Sequence, residues 1–218
     1  MSDLIKLEQV DADGALREGA DAVDGDSRAD FFRKAAMGGT AMVGGGVLLA
    51  GFPQIATAGK PSKRQDVSIL NFALTLEFLE DEFYKQALRN IQFTVPNLER
   101  VTRVVSGHES IHVNFLKNTL KRAAIKKPKF DFGDAVTNEA KFLATSQVLE
   151  DTGVTAYLGQ ARRILQKPVL TAAATILAVE ARHASFIAEI NGKSFAPRAF
   201  DRPVSGRKIK AKIKPFIA

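Results

Sequence analysis

The sequence predicts an all-α protein, an antiparallel four-helix bundle with a long crossover, preceded by an N-terminal export signal and followed by an extended C-terminal tail. Three observations predict it. Between residues 66 and 191 apolar residues recur at i, i+3 and i+4 spacing in four long runs, the helical period. Acidic and imidazole side chains fall on the apolar stripes of those runs. Their arrangement repeats: Glu77, Tyr84 and Glu109-Ser-Ile-His112 in the first half, Glu150, Tyr157 and Glu180-Ala-Arg-His183 in the second.

The first 58 residues stand apart. They hold five Lys/Arg and nine Asp/Glu, whereas residues 59–218 hold 26 and 15. Ser27-Arg-Ala-Asp-Phe-Phe-Arg-Lys34 leads into an apolar, Gly-rich run, 35–52, followed by Pro53 and the small residues Ala56-Thr-Ala58. A basic edge, an apolar stretch and an A-x-A end read as an export signal cleaved after Ala58. The pattern is similar to a twin-arginine signal, with Ala29 where the second arginine falls. The expected localisation is periplasmic or extracellular, by way of the export machinery. The alternative is membrane anchoring through residues 35–52, which Gly38, Gly39, Gly44, Gly45 and Gly46 disfavour as a spanning helix.

The first helix is predicted over Asp66 to about Phe93, carrying Ile69, Leu70, Leu74, Glu77 and Tyr84 on one face and ended by Val95-Pro96. The second covers Asn97 to Lys121, with Val101, Val105, His112 and Leu116 inward. Residues 124–134 are punctuated by Lys-Lys-Pro and Phe-Gly and read as a loop. The third helix runs from about Thr137 to Leu165. Gly153 and Gly159 weaken it but permit close contact. Lys167-Pro168 opens the fourth, with proline in the first turn, and Asn191-Gly192 stops it. The bundle thus occupies 59–197. Residues 198–218, with seven basic residues and one acid, form an extended basic tail solvated along it.

Without cysteine there is no disulfide framework, zinc ribbon or iron–sulfur cluster. Glu and His three apart share a helix face and can reach one ion. Two such pairs plus two lone glutamates bring four carboxylates and two imidazoles to a common axis. Four buried carboxylates cost several kcal/mol each unless paired or bound to cations. The predicted metal ligands are therefore Glu77, Glu109, His112, Glu150, Glu180 and His183, holding two metal ions. Mixed carboxylate and imidazole ligation suits Fe or Mn better than closed tetrahedral zinc. Glu80, one turn after Glu77, can face inward as an extra or alternative ligand. Asp81 and Glu82 are expected to face solvent. Asp151 and Arg182 are expected to support the ligands by hydrogen bonds. His108, outside the ligand register, is expected at the surface or in a helix contact. Tyr84 and Tyr157 are expected in the core, each satisfying a carboxylate of the opposite half.

The segments NFALTLEFLEDEFY (71–84), GHESIHVNFL (107–116), LEDTGVTAYLG (149–159) and ILAVEARHASFIAEING (176–192) resemble a ferritin-like domain protein. More closely they resemble the exported bacterial branch related to plant desiccation-related proteins. The resemblance covers about residues 65–203 and implies the same six ligands. It implies ferroxidation, peroxide reduction, manganese catalase chemistry or oxygenation. The first expectation is dimetal redox chemistry on a small oxidant, peroxide or dioxygen, in stress protection. The alternative is a non-catalytic stress protein whose metals mainly hold the bundle together. No nucleic-acid partner is expected, a storage cage is disfavoured by the connector and basic tail, and a homo-oligomer is compatible with this reading.

Overall fold

A computed structural model describes residues 62–218. The predicted leader (1–58), its cleavage point and the alternative anchor at 35–52 lie outside the described residues. Four long helices form: α1 Lys63–Asn90, α2 Leu98–Leu120, α3 Glu139–Ala161 and α4 Lys167–Ile190. No helix among the described residues is long and apolar enough to cross a membrane.

Local chemistry sets the ends. The Ser62 side chain accepts from the Gln65 N–H and caps α1, and Asn138 does the same for α3 from Lys141. Pro168 sits in the first turn of α4, where its missing N–H costs nothing.

Hydrogen bonds between the ends fix the directions. Asp66, at the start of α1, accepts from the N–H groups of Leu165 (2.8 Å) and Gln166 (2.9 Å), just beyond the end of α3. Glu139, at the start of α3, accepts from the N–H groups of Thr94 (2.7 Å) and Val95 (2.8 Å), just beyond the end of α1. Helices α1 and α3 are therefore antiparallel. The α4 end returns to the α3 start, where Asn191 donates to the Leu143 carbonyl (3.0 Å). Helix α2 is then parallel to α3, and the connector 121–138 must travel the length of the bundle. Asn71 holds its beginning, donating to the Ala123 carbonyl (2.9 Å) and accepting from the Ile125 N–H (2.8 Å). Lys127 pins it to Glu82 of α1 at 2.5 Å.

The apolar core is divided. One cluster gathers Phe83, Tyr84, Leu98, Phe132 and Phe142, with the Phe83 and Phe142 rings stacked 5.2 Å apart. The other gathers Leu70, Leu74, Leu116, Tyr157 and Ile176. Glu77, Glu80, Glu109, His112, Glu150, Glu180 and His183 are buried members of the same four helices and belong to neither cluster.

The tail corrects the expectation of an extended arm. Residues Gly206–Ile213 form a fifth helix, α5. Ile209 and Ile213 are one turn apart and both buried, so the helix has an apolar edge to dock. Ahead of it, the Val204 N–H donates to the Thr155 carbonyl of α3 (3.0 Å). Gly159 permits this approach: a Cβ there would stand 1.9 Å from the Val204 carbonyl oxygen. The chain then pairs with the connector through a Phe130–Ile217 bridge.

Candidate metal centre

Each long helix delivers acids to the middle layer. Helix α1 supplies Glu77 and Glu80, α2 Glu109 and His112, α3 Glu150, and α4 Glu180 and His183. The five glutamates are 0–2% exposed, and the two histidines are also buried. Three overlapping groups of ligand atoms lie within 4.8 Å of one another: Glu77, Glu109, His112 and Glu180; Glu109, Glu150 and His183; and Glu80, Glu150 and Glu180.

The contacts are crowded around the imidazoles. Nδ1 of His112 lies 3.1 Å from Glu77 Oε2, 3.2 Å from Glu109 Oε2 and 3.2 Å from Glu180 Oε1. A single ring nitrogen carries at most one proton, so it cannot satisfy three oxygens. Nδ1 of His183 stands 3.1 Å from Glu109 Oε1 and 3.4 Å from Glu150 Oε2, near enough for charge attraction but outside hydrogen-bond geometry. Both oxygens of Glu80, both of Glu180, Oε1 of Glu109 and Oε2 of Glu150 are buried without a hydrogen-bond donor. Buried polar atoms are normally paired, so these six oxygens form a donor set that fits a cation.

Tyrosines brace the two remaining carboxylates from across the bundle. Tyr157 of α3 donates to Glu77 Oε1 of α1 at 2.5 Å, and Tyr84 of α1 donates to Glu150 Oε1 of α3. Gly153 leaves space for Glu180: a Cβ there would lie 2.9 Å from Glu180 Oε2.

The protonation equilibria follow from burial and neighbours. Burial, with Glu109 nearby, pushes the Glu77 carboxyl up to about 8 against the pull of His112. Burial and mutual repulsion raise Glu80 and Glu180 well above the carboxylate range. Burial also raises Glu150, outweighing its contact with His183. Burial opposes ionisation of Glu109 too, but the hydrogen-bonded His112, the close His183 imidazole and the neighbouring Glu77 carboxyl overcome it and hold that carboxyl at about 2. Burial disfavours both imidazolium forms, yet the carboxylates around them raise His112 to about 12 and His183 to about 10.

Glu80 turns into the layer beside Glu150 and Glu180, alongside Glu77. Its i+3 spacing from Glu77 was the available signal. Asp81 is buried, not solvent-facing, and accepts from Ser110 Oγ (2.7 Å) and Lys85 (2.5 Å). Glu82 is partly buried against Lys127. Asp151 and Arg182 are exposed and support no ligand, because each is one residue, about 100° of helix, away from an inward-facing neighbour. His108 makes a helix contact, one of the two placements expected of it, and the role that sequence reasoning missed is its support of His183. Its Nδ1 lies 2.9 Å from His183 Nε2, with the rings stacked at 5.1 Å. Position 108, one turn before His112, was the only hint.

Residues 65–193 match the ferritin-like domain model, and the chain belongs to that family. No curated protein matches the sequence. Among solved structures it is similar to a hypothetical protein from Methanococcus jannaschii, with a TM-score of 0.47 and 13% identity over 73% of this chain and 98% of that one.

Proposed function

We propose that this protein holds a pair of Fe or Mn ions and carries out redox chemistry on peroxide or dioxygen as a stress-protection enzyme. The observation that carries the reading is the set of six donorless carboxylate oxygens in a fully buried layer. Removing that many carboxylate oxygens from water without partners is costly, and divalent cations reverse the cost. Hard oxygen donors with two imidazoles suit Fe or Mn.

In this reading Glu77, Glu109, His112, Glu150, Glu180 and His183 hold the ions, with Glu80 as a further oxygen donor. When bound, such a pair supplies a two-electron couple and open positions for an O–O ligand. The chain supplies the rest. Tyr84 and Tyr157 fix one oxygen each of Glu150 and Glu77, so the free oxygens have a defined direction. His108 fixes the ring plane of His183. The apolar clusters restrict water around the layer. Residues 1–58 enter the proposal as an export leader placing the activity outside the cytoplasm, which fractionation of cells expressing the tagged chain tests.

Elemental analysis of the purified protein for Fe, Mn and Zn is the first experiment, followed by oxygen release from peroxide and Fe(II) oxidation. About two Fe or Mn per chain are expected, with occupancy falling in Glu150→Ala and His183→Ala. Unchanged occupancy in both variants refutes the site. Full occupancy without turnover favours the alternative, in which metal binding stabilises the folded bundle by mass action.

A further inference from the structure

Away from the carboxylate layer, a cleft of about 510 Å³ opens between helices α3 and α4 and the returning C-terminal segment. That volume lies in the range of small-molecule pockets. None of the buried glutamates and histidines of the metal centre lines it. Val154 of α3 and Ala181, Ala184 and Ala188 of α4 contribute apolar lining, and Val204 and Ile209 face them from the tail.

Charge surrounds this apolar surface unevenly. Lys193, Arg198, Lys208 and Lys212 line the cleft with only Asp151 and Asp201 as acids. Among the described residues none of these six forms an ion pair, and Lys212 reaches only the Val148 carbonyl at 3.5 Å. The two acids therefore offset only part of the four cations, and the cleft attracts anions. A second observation is independent of the charges. Gln147 also lines the cleft and is 7% exposed, yet its Oε1 has no hydrogen-bond partner. Its Nε2 makes one long bond, 3.4 Å, to the Ala184 carbonyl. A buried acceptor without a donor is costly, and rotation of this side chain toward the cleft would let a ligand hydroxyl satisfy it.

We propose that this cleft binds a small anion that also carries hydroxyl groups, of the chemical class of sugar acids and sugar phosphates. The excess of cations selects net negative charge. Asp151, Asp201 and Gln147 Oε1 are acceptors, so a bare anion meets repulsion where a hydroxylated one donates hydrogen bonds. The alanine-rich floor offers flat apolar contact to a carbon ring. Asp151, which does not support the metal ligands, has a role on this face of α3.

Calorimetric titration of the full chain with glucuronate, glucose 6-phosphate, glucose and inorganic phosphate tests the proposal. Saturable one-to-one binding is expected for at least one of the two anionic sugars, which also tells carboxylate from phosphate recognition. Glucose and inorganic phosphate should bind at least roughly tenfold more weakly, the scale of one or two lost hydrogen bonds. The exposed pair Lys208→Glu and Lys212→Glu should together abolish binding while leaving the melting temperature near that of the parent. Gln147→Leu, checked for folding by circular dichroism, should weaken it by roughly tenfold. Absence of saturable binding by both sugars overturns the proposal. So does inorganic phosphate binding as tightly as glucose 6-phosphate, or a lysine double variant that binds like the parent.

Discussion

The hydroxyl of Tyr157 lies 2.5 Å from Oε1 of Glu77, a residue 80 positions earlier in the chain. The bond joins α3 to α1 inside the core and has a counterpart running the other way, from Tyr84 to Glu150. Both tyrosines are buried, and burial together with the adjacent carboxylates raises both phenols well above their ordinary value, so each remains a proton donor. Tyr157→Phe leaves Glu77 Oε1 without its donor. The expected cost to the metal-free protein is about 1–3 kcal/mol, read from urea denaturation. Metal content should stay near that of the parent, because no ligand is removed. Loss of metal with no loss of metal-free stability would refute this bracing role.

Gly153→Ala tests the space reserved for Glu180. Alanine favours the helix by up to about 1 kcal/mol, but its Cβ would press on Glu180 Oε2. Reduced metal occupancy in a chain that still folds is the expected outcome, measured by elemental analysis beside thermal melting. Parent-level occupancy would show that Glu180 can move aside without consequence.

His108→Ala removes the ring that meets His183 Nε2. Partners of metal-ligating histidines typically account for about 10–100-fold in metal affinity. A drop of that size in competition with a chelator is expected, with the fold intact, since His108 is only partly buried. Equal affinity in the variant would reduce the histidine pair to a packing contact.

The metal-free protein should lose stability as pH rises. Glu77 is raised from 4.5 to about 8, so its contribution is complete below 4.5 and is lost as pH rises through 8. His112 and His183 act in the same direction, complete below 6.5 and lost toward about 12 and 10 respectively. Glu109, lowered to about 2, works oppositely: its contribution is present above 4.5 and lost as pH falls through 2. Stability should therefore peak near about pH 5 and decline toward pH 8. Metal binding needs ionised carboxylates and neutral imidazoles, so affinity should rise over that same interval, with proton release. Melting of chelated protein against pH, and proton uptake on metal removal, measure both. A flat metal-free profile would contradict the protonation scheme.

Much of the fold was legible because burial and helical period agree. Leu70, Leu74, Val105 and Leu116 announce their helices, and Pro96, Pro168 and Gly192 punctuate them. The repeated Glu, Tyr and E-x-x-H order was legible because the two halves carry matching residues at nearly matching spacing. Asp81 was harder: nothing in the acidic run Glu80-Asp-Glu82 marks it as buried until Ser110 of α2 and the connector are in place. His108 and His183 lie 75 positions apart and meet only through the approach of α2 to α4. The last helix was hidden by Pro203 and a dense run of lysines, with Ile209 and Ile213 as its only apolar edge.

The crossed tyrosine bonds leave neither helical hairpin self-sufficient. Residues 63–120 hold a phenol whose acceptor is in 139–190, and the reverse is equally true. Two copies of either hairpin, associating about a twofold axis, would offer each phenol an equivalent glutamate. A single ancestral hairpin could thus have assembled such a centre as a dimer before duplication and fusion joined the copies. Chain cleavage within the connector should yield two fragments that recombine, each template for the other.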